Sequence, residues 1–278
     1  MENYQNILFP YAYNILGSSE DAKDTVQDVI SSFLQAKKKD IENIKAYLIK
    51  SVINQSINIK KRKRKMVNHP AWLPEPFATE EPDDDINLRD IASYSMLVLL
   101  EQLNPKERAV FILKEGFAYS HEEIAEVLSG TVESSRKLLS RAKGKINNKE
   151  YTSGSTKTGF ERFEILESYI NAIRSRDVKT LEEILAVDIR TMTDGGGKIN
   201  VIKQICAGRN EVMDLLIFTY HRFNTSSPIT YKLINHQPAL LYFNGDALQA
   251  CQIFTLSERG QVAQINTVLD PEKLRSIF

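Results

Sequence analysis

The side chains with the strongest chemical bias in this sequence are cations, and they come in two blocks. Residues 37–65 hold eleven Lys and Arg against two acids and end in the unbroken run Lys60-Lys61-Arg62-Lys63-Arg64-Lys65. Such a density of positive charge suits a polyanion, whose affinity then falls steeply with salt as counterions are released. Just upstream, Tyr47, Lys50 and Asn54 recur at helical spacing and offer stacking and hydrogen bonding to unpaired bases. Tyr47 serves equally well as a core residue. In the second block, Glu133, Ser134, Ser135, Arg136, Lys137, Ser140, Arg141, Lys143 and Lys145 are expected on one face of a helix, with Leu138, Leu139, Ala142 and Ile146 on the other. Arg136 and Lys137 can donate to guanine, the serines and Glu133 suit other base edges, and the later lysines suit phosphates.

Other constellations are weaker. Asp194, His221 and His236 are acid–base candidates, but nothing in the sequence makes them converge. Cys206 and Cys251 have no metal-ligand spacing and are expected as reduced thiols. No catalytic residue, metal or cofactor is expected. Gly195, Gly196 and Gly197 suit a tight loop that either holds an anion on its N–H groups or docks against another segment.

The elements that must carry these groups are punctuated clearly. The length suggests two or three domains. The formal net charge of zero hides strong segregation, since Glu75, Glu80, Glu81, Asp83, Asp84, Asp85 and Asp90 face Arg89 alone between the two basic blocks. Residues 1–66 read as three helices, with Gly17 as a C-cap, Ser18 or Ser19 as the next N-cap, and an acidic face of Asp21, Asp24, Gln27 and Asp28. Residues 67–87 read as a linker whose Trp72, the single tryptophan, should dock on a neighbouring domain together with Leu73. Residues 88–149 carry two capping boxes, Asn104/Glu107 and Ser120/Glu123, then a Ser129-Gly130 turn and a basic helix: a helix-turn-helix over 120–146.

After a second linker at 150–159, residues 160–278 change character. Helical periodicity covers 160–174, 177–186 and 210–223, and strands are expected at 229–235, 238–243, 248–256 and 261–268 with hairpin turns at Asn244-Gly245 and Glu258-Arg259-Gly260. That is an α+β layout, with helices on one face of a curved antiparallel sheet. No apolar run is long enough to span a bilayer and the N-terminus lacks a signal-peptide pattern, so a cytoplasmic protein is expected.

These residues carry a family resemblance. "LGSSEDAKDTVQDVISSFLQA" and "IKAYLIKSVINQSINIKKRKRK" resemble region 2 of extracytoplasmic-function sigma factors, and "LNPKERAVFILKEGFAYSHEEIAEVLSGTVESSRKLLSRAKGKI" resembles their region 4. "WLPEP" at 72–76, "DGGGK" at 194–198 and "DPEKL" at 270–274 resemble motifs of the subgroup with a fused SnoaL-like domain. The resemblance implies a multi-domain chain: two all-α modules and an α+β, cone-shaped SnoaL-like domain. It implies a sigma factor that binds the β′ clamp helices and β flap of core RNA polymerase, with promoter DNA as the other partner and no separate anti-sigma factor.

Residue by residue, the resemblance sets Asp24, Gln27 and Asp28 on the clamp. It sets Lys37, Lys38, Lys39 and Asn43, with Tyr47, Lys50, Asn54, Lys61, Arg62 and Arg64, at the −10 element, where a flipped base is captured. Glu133, Ser134, Ser135, Arg136, Lys137, Ser140 and Arg141 fall at the −35 element. Trp72, Leu73, Pro74, Asp194, Gly195, Gly196, Gly197, Lys198, Asp270, Pro271 and Leu274 become regulatory contacts, Lys198 facing the linker acids. One departure is that the family has Gly where Ser129 stands. The alternative reading is a helix-turn-helix regulator with a ligand-binding or enzymatic SnoaL-like domain.

Overall fold

A computed structural model describes residues 4–36, 41–64, 72–79, 90–146, 159–202 and 204–278. They form two compact units, one from the described residues of 4–64 and 90–146, the other from 72–79 and 159–278.

In the first unit, α1 (Tyr4–Leu16), α2 (Ser19–Gln35) and α3 (Ile44–Arg64) form the first helical module. Gly17, at φ 71°, ends α1 in the left-handed region where a side chain is strained. Ser18 then caps α2 by accepting from the Asp21 N–H at 3.1 Å. Leu8, Ala12, Ile15, Ala22, Val26, Leu48, Val52 and Ile53 are buried between the three helices.

The second module holds α4 (Tyr94–Leu100), α5 (Pro105–Phe111, with a wider turn through Gly116), α6 (His121–Val127) and α7 (Val132–Ile146). Both capping boxes form, Asn104 with Glu107 and Ser120 with Glu123, and each such cap stabilises its helix by about 1 kcal/mol. Between α6 and α7 the left-handed residue is Ser129, at φ 50°, and the Gly130 N–H closes the turn on the Ala125 carbonyl at 2.8 Å. A Cβ at such a φ costs about 1 kcal/mol, so Ser129 holds local strain at this turn.

The two modules pack on each other through a buried polar joint. Arg108 is fully buried; its Nε donates to the Asn14 carbonyl at 2.8 Å and its Nη1 to Glu101. Lys60 donates to both Glu101 oxygens at 2.9 Å and to the Leu16 carbonyl at 2.8 Å. Burial alone would raise the Glu101 carboxyl, but Arg108 and Lys60 outweigh it and hold the group below its ordinary value. Tyr11 of α1 stacks on Phe117 with ring centres 4.0 Å apart.

The second unit contains α8 (Gly159–Ser175), α9 (Val178–Ile184), β1 (Leu185–Asp194), β2 (Ile205–Ala207), α10 (Arg209–Thr219), β3 (Ile229–Ile234), β4 (Gln237–Asn244), β5 (Ala247–Leu256), β6 (Val262–Val268) and α11 (Pro271–Leu274). The strand order is β2-β1-β6-β5-β4-β3. The four C-terminal strands lie within a residue or so of their expected positions. The helix expected over 177–186 is present as α9 and runs directly into a strand that was not expected. That strand, β1, then pairs parallel with β6, so the sheet is mixed rather than antiparallel throughout.

One sheet face packs Leu240, Tyr242, Phe254 and Ile265 against Leu166, Tyr169, Ile170 and Leu216 of the helices. The alternate residues Leu241, Cys251, Ile253 and Val268 are buried as well, as strand periodicity requires of a sheet covered on both faces. α11 packs against β5. Residues 77–79 extend the sheet beyond β3, where the Thr79 N–H donates to the Leu233 carbonyl at 3.0 Å and the Asn235 N–H to the Phe77 carbonyl at 2.8 Å.

Ser129→Gly should stabilise the helical unit by about 0.5–1 kcal/mol, relief of strain being partly offset by a freer unfolded chain; urea unfolding followed by circular dichroism measures it. Because the Glu101 carboxyl is held low in the folded state, its contribution is present above the ordinary glutamate range and lost as pH falls through the folded value. The helical unit should therefore become less stable below about pH 4, the ordinary glutamate value, and Glu101→Gln should flatten that decline in a pH series of unfolding midpoints.

Candidate nucleic-acid interface and linker clamp

Helix α7 presents Glu133, Ser134, Arg136, Lys137, Ser140 and Arg141 to solvent. Ser135 is the exception to the expected face. It is 3% exposed and its Oγ lies 2.9 Å from His121 Nδ1. The reason is helical register: Ser135, Leu139, Ala142 and Ile146 form the buried stripe of α7, a 4-3-4 spacing visible in the sequence once Ser135 is allowed inward. The Thr131 hydroxyl caps this helix at the Ser134 N–H, 3.1 Å. The two later lysines, expected on phosphates, are exposed and each also has an acid of the module beside it. Lys143 pairs with Glu115 at 2.8 Å, and Lys145 with the buried capping-box acid Glu107 at 2.6 Å. The cations left clear for an anion at the start of α7 are Arg136 and, beside its own pairing to Glu133, Lys137.

In the first module, Lys37, Lys38 and Lys39 lie outside the described residues. Asn43 caps α3, accepting from the Ala46 N–H at 3.0 Å. Tyr47 is half-buried with its ring 5.9 Å from that of Phe33, so it packs on the module. Asn54 is turned to the other module: its Nδ2 donates to the Val127 carbonyl and the Lys50 carbonyl, both at 2.8 Å. Lys61 and Arg62 are exposed and, with Gln55 and Asn58, line an open groove along α3. Arg64 closes α3. On α2, Asp24, Gln27 and Asp28 are exposed, whereas Asp21 of the same acidic face pairs with Lys63 at 2.6 Å.

The second unit concentrates its buried charge on one residue of the linker. Asp194 ends β1 and Lys273 lies in α11; they pair at 2.6 Å, each side chain 8% exposed. Asp194 Oδ2 also accepts from the Leu73 N–H at 2.8 Å, and Lys273 Nζ also donates to the Leu73 carbonyl at 2.6 Å. Both main-chain polar groups of Leu73 are thus held by one ion pair, while its side chain is fully buried. Lys273 Nζ further sits 4.2 Å from the centre of the Trp72 ring, within cation–π range. Pro74 is buried, and Ser276 donates to the Pro76 carbonyl at 2.9 Å.

The glycine loop is shaped by this clamp. The Gly196 N–H donates to Asp194 Oδ1 at 2.8 Å, and the Lys198 and Ile199 N–H groups both return to the Gly195 carbonyl. These donors serve the loop itself, which disfavours the external-anion reading. A Cβ on Gly195 would lie 2.2 Å from the Ile199 carbonyl oxygen, and one on Gly196, at φ 63°, 2.2 Å from the Asp270 carboxylate. Asp270 is itself buried and caps α11, whose first residue is Pro271, while Leu274 is buried. Lys198, expected near the linker acids, pairs with Glu272 of the tail.

Sequence reasoning missed Lys273 and Asn235, which accepts from the Phe77 N–H at 2.9 Å. The "DPEKL" motif contains Lys273, and a lysine amid buried neighbours was the available signal. The acid–base candidates have structural partners, Asp194 in the clamp and His221 Nε2 3.1 Å from the Ile173 carbonyl. The His236 N–H is held by the Thr79 hydroxyl. Cys206 and Cys251 are buried free thiols.

Residues 1–66 match the family Sigma-70 region 2, and residues 94–146 match Sigma-70, region 4. The chain is 25% identical over 273 residues to the probable ECF RNA polymerase sigma factor SigI of Mycobacterium tuberculosis, covering 96% of this chain and 91% of that one. It is 25% identical over 283 residues to the ECF RNA polymerase sigma factor SigJ of the same organism, covering 96% and 89%. The crystal structure of Mycobacterium tuberculosis SigJ superposes with a TM-score of 0.77 at 22% identity, over 99% of this chain and 96% of that one. Among the described residues, no helix is long and apolar enough to cross a membrane.

The clamp can be read through Trp72, since the chain has no other tryptophan. Lys273→Met leaves the Asp194 carboxylate buried without its cation, a loss of about 3–5 kcal/mol for a buried pair. Trp72 emission should shift to the red as the linker is released, and adding Asp194→Asn should reverse most of that shift. Unchanged emission in Lys273→Met would mean that the ion pair does not hold the linker.

Proposed function

Because this chain belongs to the extracytoplasmic-function sigma factors of the sigma-70 family, we propose that its two helical modules read the two promoter elements and that its α+β domain sets the state of the tether between them. As a sigma factor it directs core RNA polymerase to promoters. Asp24, Gln27 and Asp28, exposed on α2, meet the β′ clamp helices. The stretch 37–43 receives a base flipped out of the −10 element, with Tyr47 stacking beside it. The unstacking cost of a few kcal/mol is what lets such a pocket both read sequence and nucleate melting. Lys50, Lys61, Arg62 and Arg64 hold the adjoining backbone, which positions without specifying.

Helix α7 enters the major groove at the −35 element. Arg136 is the base-reading candidate supported best, because it is exposed and lies in the N-terminal half of the helix. Lys137, Ser134, Ser140 and Arg141 flank it.

The observation that carries the regulatory part of this reading is the capture of the Leu73 main chain by Asp194 and Lys273. Residues 72–79 connect the two helical modules in sequence, yet they are built into the other unit. Holding them shortens the free tether, and releasing them lengthens it; the reach of a linker sets the effective concentration of a second binding module. The fused domain does in this way, within one chain, what a separate anti-sigma protein does for other sigma factors.

Run-off transcription with bacterial core polymerase tests the assignment: promoter-specific transcripts should appear only when this chain is added. Arg136→Ala should lower promoter affinity by about 1–3 kcal/mol and relax sequence preference at one −35 position, with binding to non-promoter duplex little changed. A uniform loss across all sequences would make Arg136 a phosphate contact instead. Specific binding of closed duplex with no transcript from core polymerase would favour a conventional helix-turn-helix regulator.

A further inference from the structure

Helix α7 is held by different kinds of contact at its two ends. Its C-terminal half rests on the module through Ala142 and Ile146, both buried, and through Lys145 on Glu107 at 2.6 Å. In the N-terminal half, the part of such a helix that reads base edges, the buried stripe begins with the polar Ser135. Ser135 stands between Ser134 and Arg136, two exposed residues of the reading face. Its Oγ lies 2.9 Å from Nδ1 of His121 on α6. Apolar packing is non-directional, whereas a hydrogen bond holds only within a narrow range of distance and angle. The His121–Ser135 contact therefore constrains the roll of α7 about its own axis, at the end where roll matters for reading.

His121 is itself held in place. It is the first residue of α6 and lies inside a capping box. The Ser120 N–H donates to the Glu123 carboxylate at 2.7 Å, and the Glu123 N–H donates to the Ser120 hydroxyl at 3.1 Å. Just before them, the Tyr119 carbonyl accepts from Lys114 at 3.0 Å. Left-handed residues other than glycine stand on both sides of α6, Ala118 at φ 57° and Ser129 at φ 50°. Such conformations persist only where the surrounding structure over-determines them, and they cluster at functional sites. Helix α6 is thus a fixed support, with the half-buried imidazole of His121 as its point of contact with the front of α7.

The size of the effect follows from helix geometry. Side chains reach about 5–6 Å from the axis of an α-helix, so a roll of about 15° carries a tip by roughly 1.5 Å. That exceeds the whole spread of lengths over which a hydrogen bond is good. A side chain that grips one base edge in a fixed geometry loses its partner at such a shift. Contacts to the phosphate backbone carry no sequence information, and a long cation can follow the charge. Loss of the His121–Ser135 bond should therefore be felt in sequence preference before it is felt in general DNA affinity.

We infer that His121 is a positioning residue for promoter reading: through the Ser135 hydroxyl it sets the roll of α7 and so decides which base edge Arg136 meets. The inference rests on the reading of α7 as the −35 helix and goes beyond it, since it assigns sequence specificity to a residue of the preceding helix that acts through a buried hydroxyl.

The test selects duplexes randomised at the −35 element, using the full chain alone and with core polymerase added, and scores base preference at each position. His121→Ala and Ser135→Ala should each flatten preference at the position assigned by Arg136→Ala, by about tenfold, as for one lost base contact. Binding to a mixed-sequence duplex should stay close to the parent's. The double variant should lose no more than either single one, because both residues act through one contact. Asn carries a polar atom at the δ position, where Nδ1 stands, whereas Gln carries its own at ε; His121→Asn should restore the preference and His121→Gln should not. A role in stability alone would not separate those two. Circular dichroism checks folding, and should His121→Ala unfold, the Asn and Gln variants decide. Parent-like preference in a folded Ser135→Ala would overturn the proposal. So would a uniform loss across all duplexes in His121→Ala, which would make His121 a phosphate contact, or a parent with no base preference at all. A missing run-off transcript sinks the sigma reading separately, since the base preference of the chain alone still decides this one.

Discussion

A charge removed from water must meet an opposite charge and fill its hydrogen bonds, or the fold that buries it fails. Both units of this protein are organised around that constraint. In the helical unit Glu101 gathers Arg108 and Lys60 where the two modules meet. In the α+β unit Asp194 and Lys273 close around the main chain of Leu73. Apolar surface is tolerant of small shifts and exchanges, whereas a buried ion pair is satisfied in one geometry. Such pairs add little net stability over apolar substitutes, and their best-supported use is to specify a register or a state.

That distinction fits the positions involved. The cores beneath the helices and on the two faces of the sheet supply the favourable burial, and they contain ordinary aliphatic and aromatic side chains. The ion pairs lie at the joints, where one part of the chain must be held in a single arrangement against another. At the linker they act on peptide groups, so Leu73 is recognised by its backbone and its buried side chain together. The indole of Trp72 takes the remaining face of the Lys273 ammonium. The neighbouring glycines are required by approach distance: a methyl on Gly196 would displace Asp270, and with it the cap of α11 that carries Lys273.

The same economy runs through the DNA-facing helices. Side chains that look free in the sequence have local partners, as Lys143 and Lys145 do with Glu115 and Glu107. The Lys145 pair reaches the buried Glu107, whereas the pairs of Lys143 and Lys137 lie at the surface, where such contacts contribute little. Arg136, Lys137, Arg141, Lys143 and Lys145 are all exposed on α7. Ser135 shows the complementary case, a polar residue whose hydroxyl holds α7 against His121 of α6.

The sequence by itself determined what depends on neighbours within a few residues. Caps at Ser18, Asn104, Ser120 and Asp177, the turn at 129–130 and the four C-terminal strands are local events, driven by side-chain-to-backbone hydrogen bonds and by periodic burial. The cationic blocks and the motifs of the two helical modules were legible for the same reason. Strand β1 was misread because its parallel partner β6 lies some seventy residues downstream, and no local pattern records such a pairing. Only the tertiary structure decided which charges meet. Lys273 finds Leu73 across 200 residues, Lys60 finds Glu101 across 41, and Asn54 finds Val127 across 73. Charge acts through space and is indifferent to chain order, so a sequence can show that a cation exists but not whether a carboxylate of the same fold already holds it.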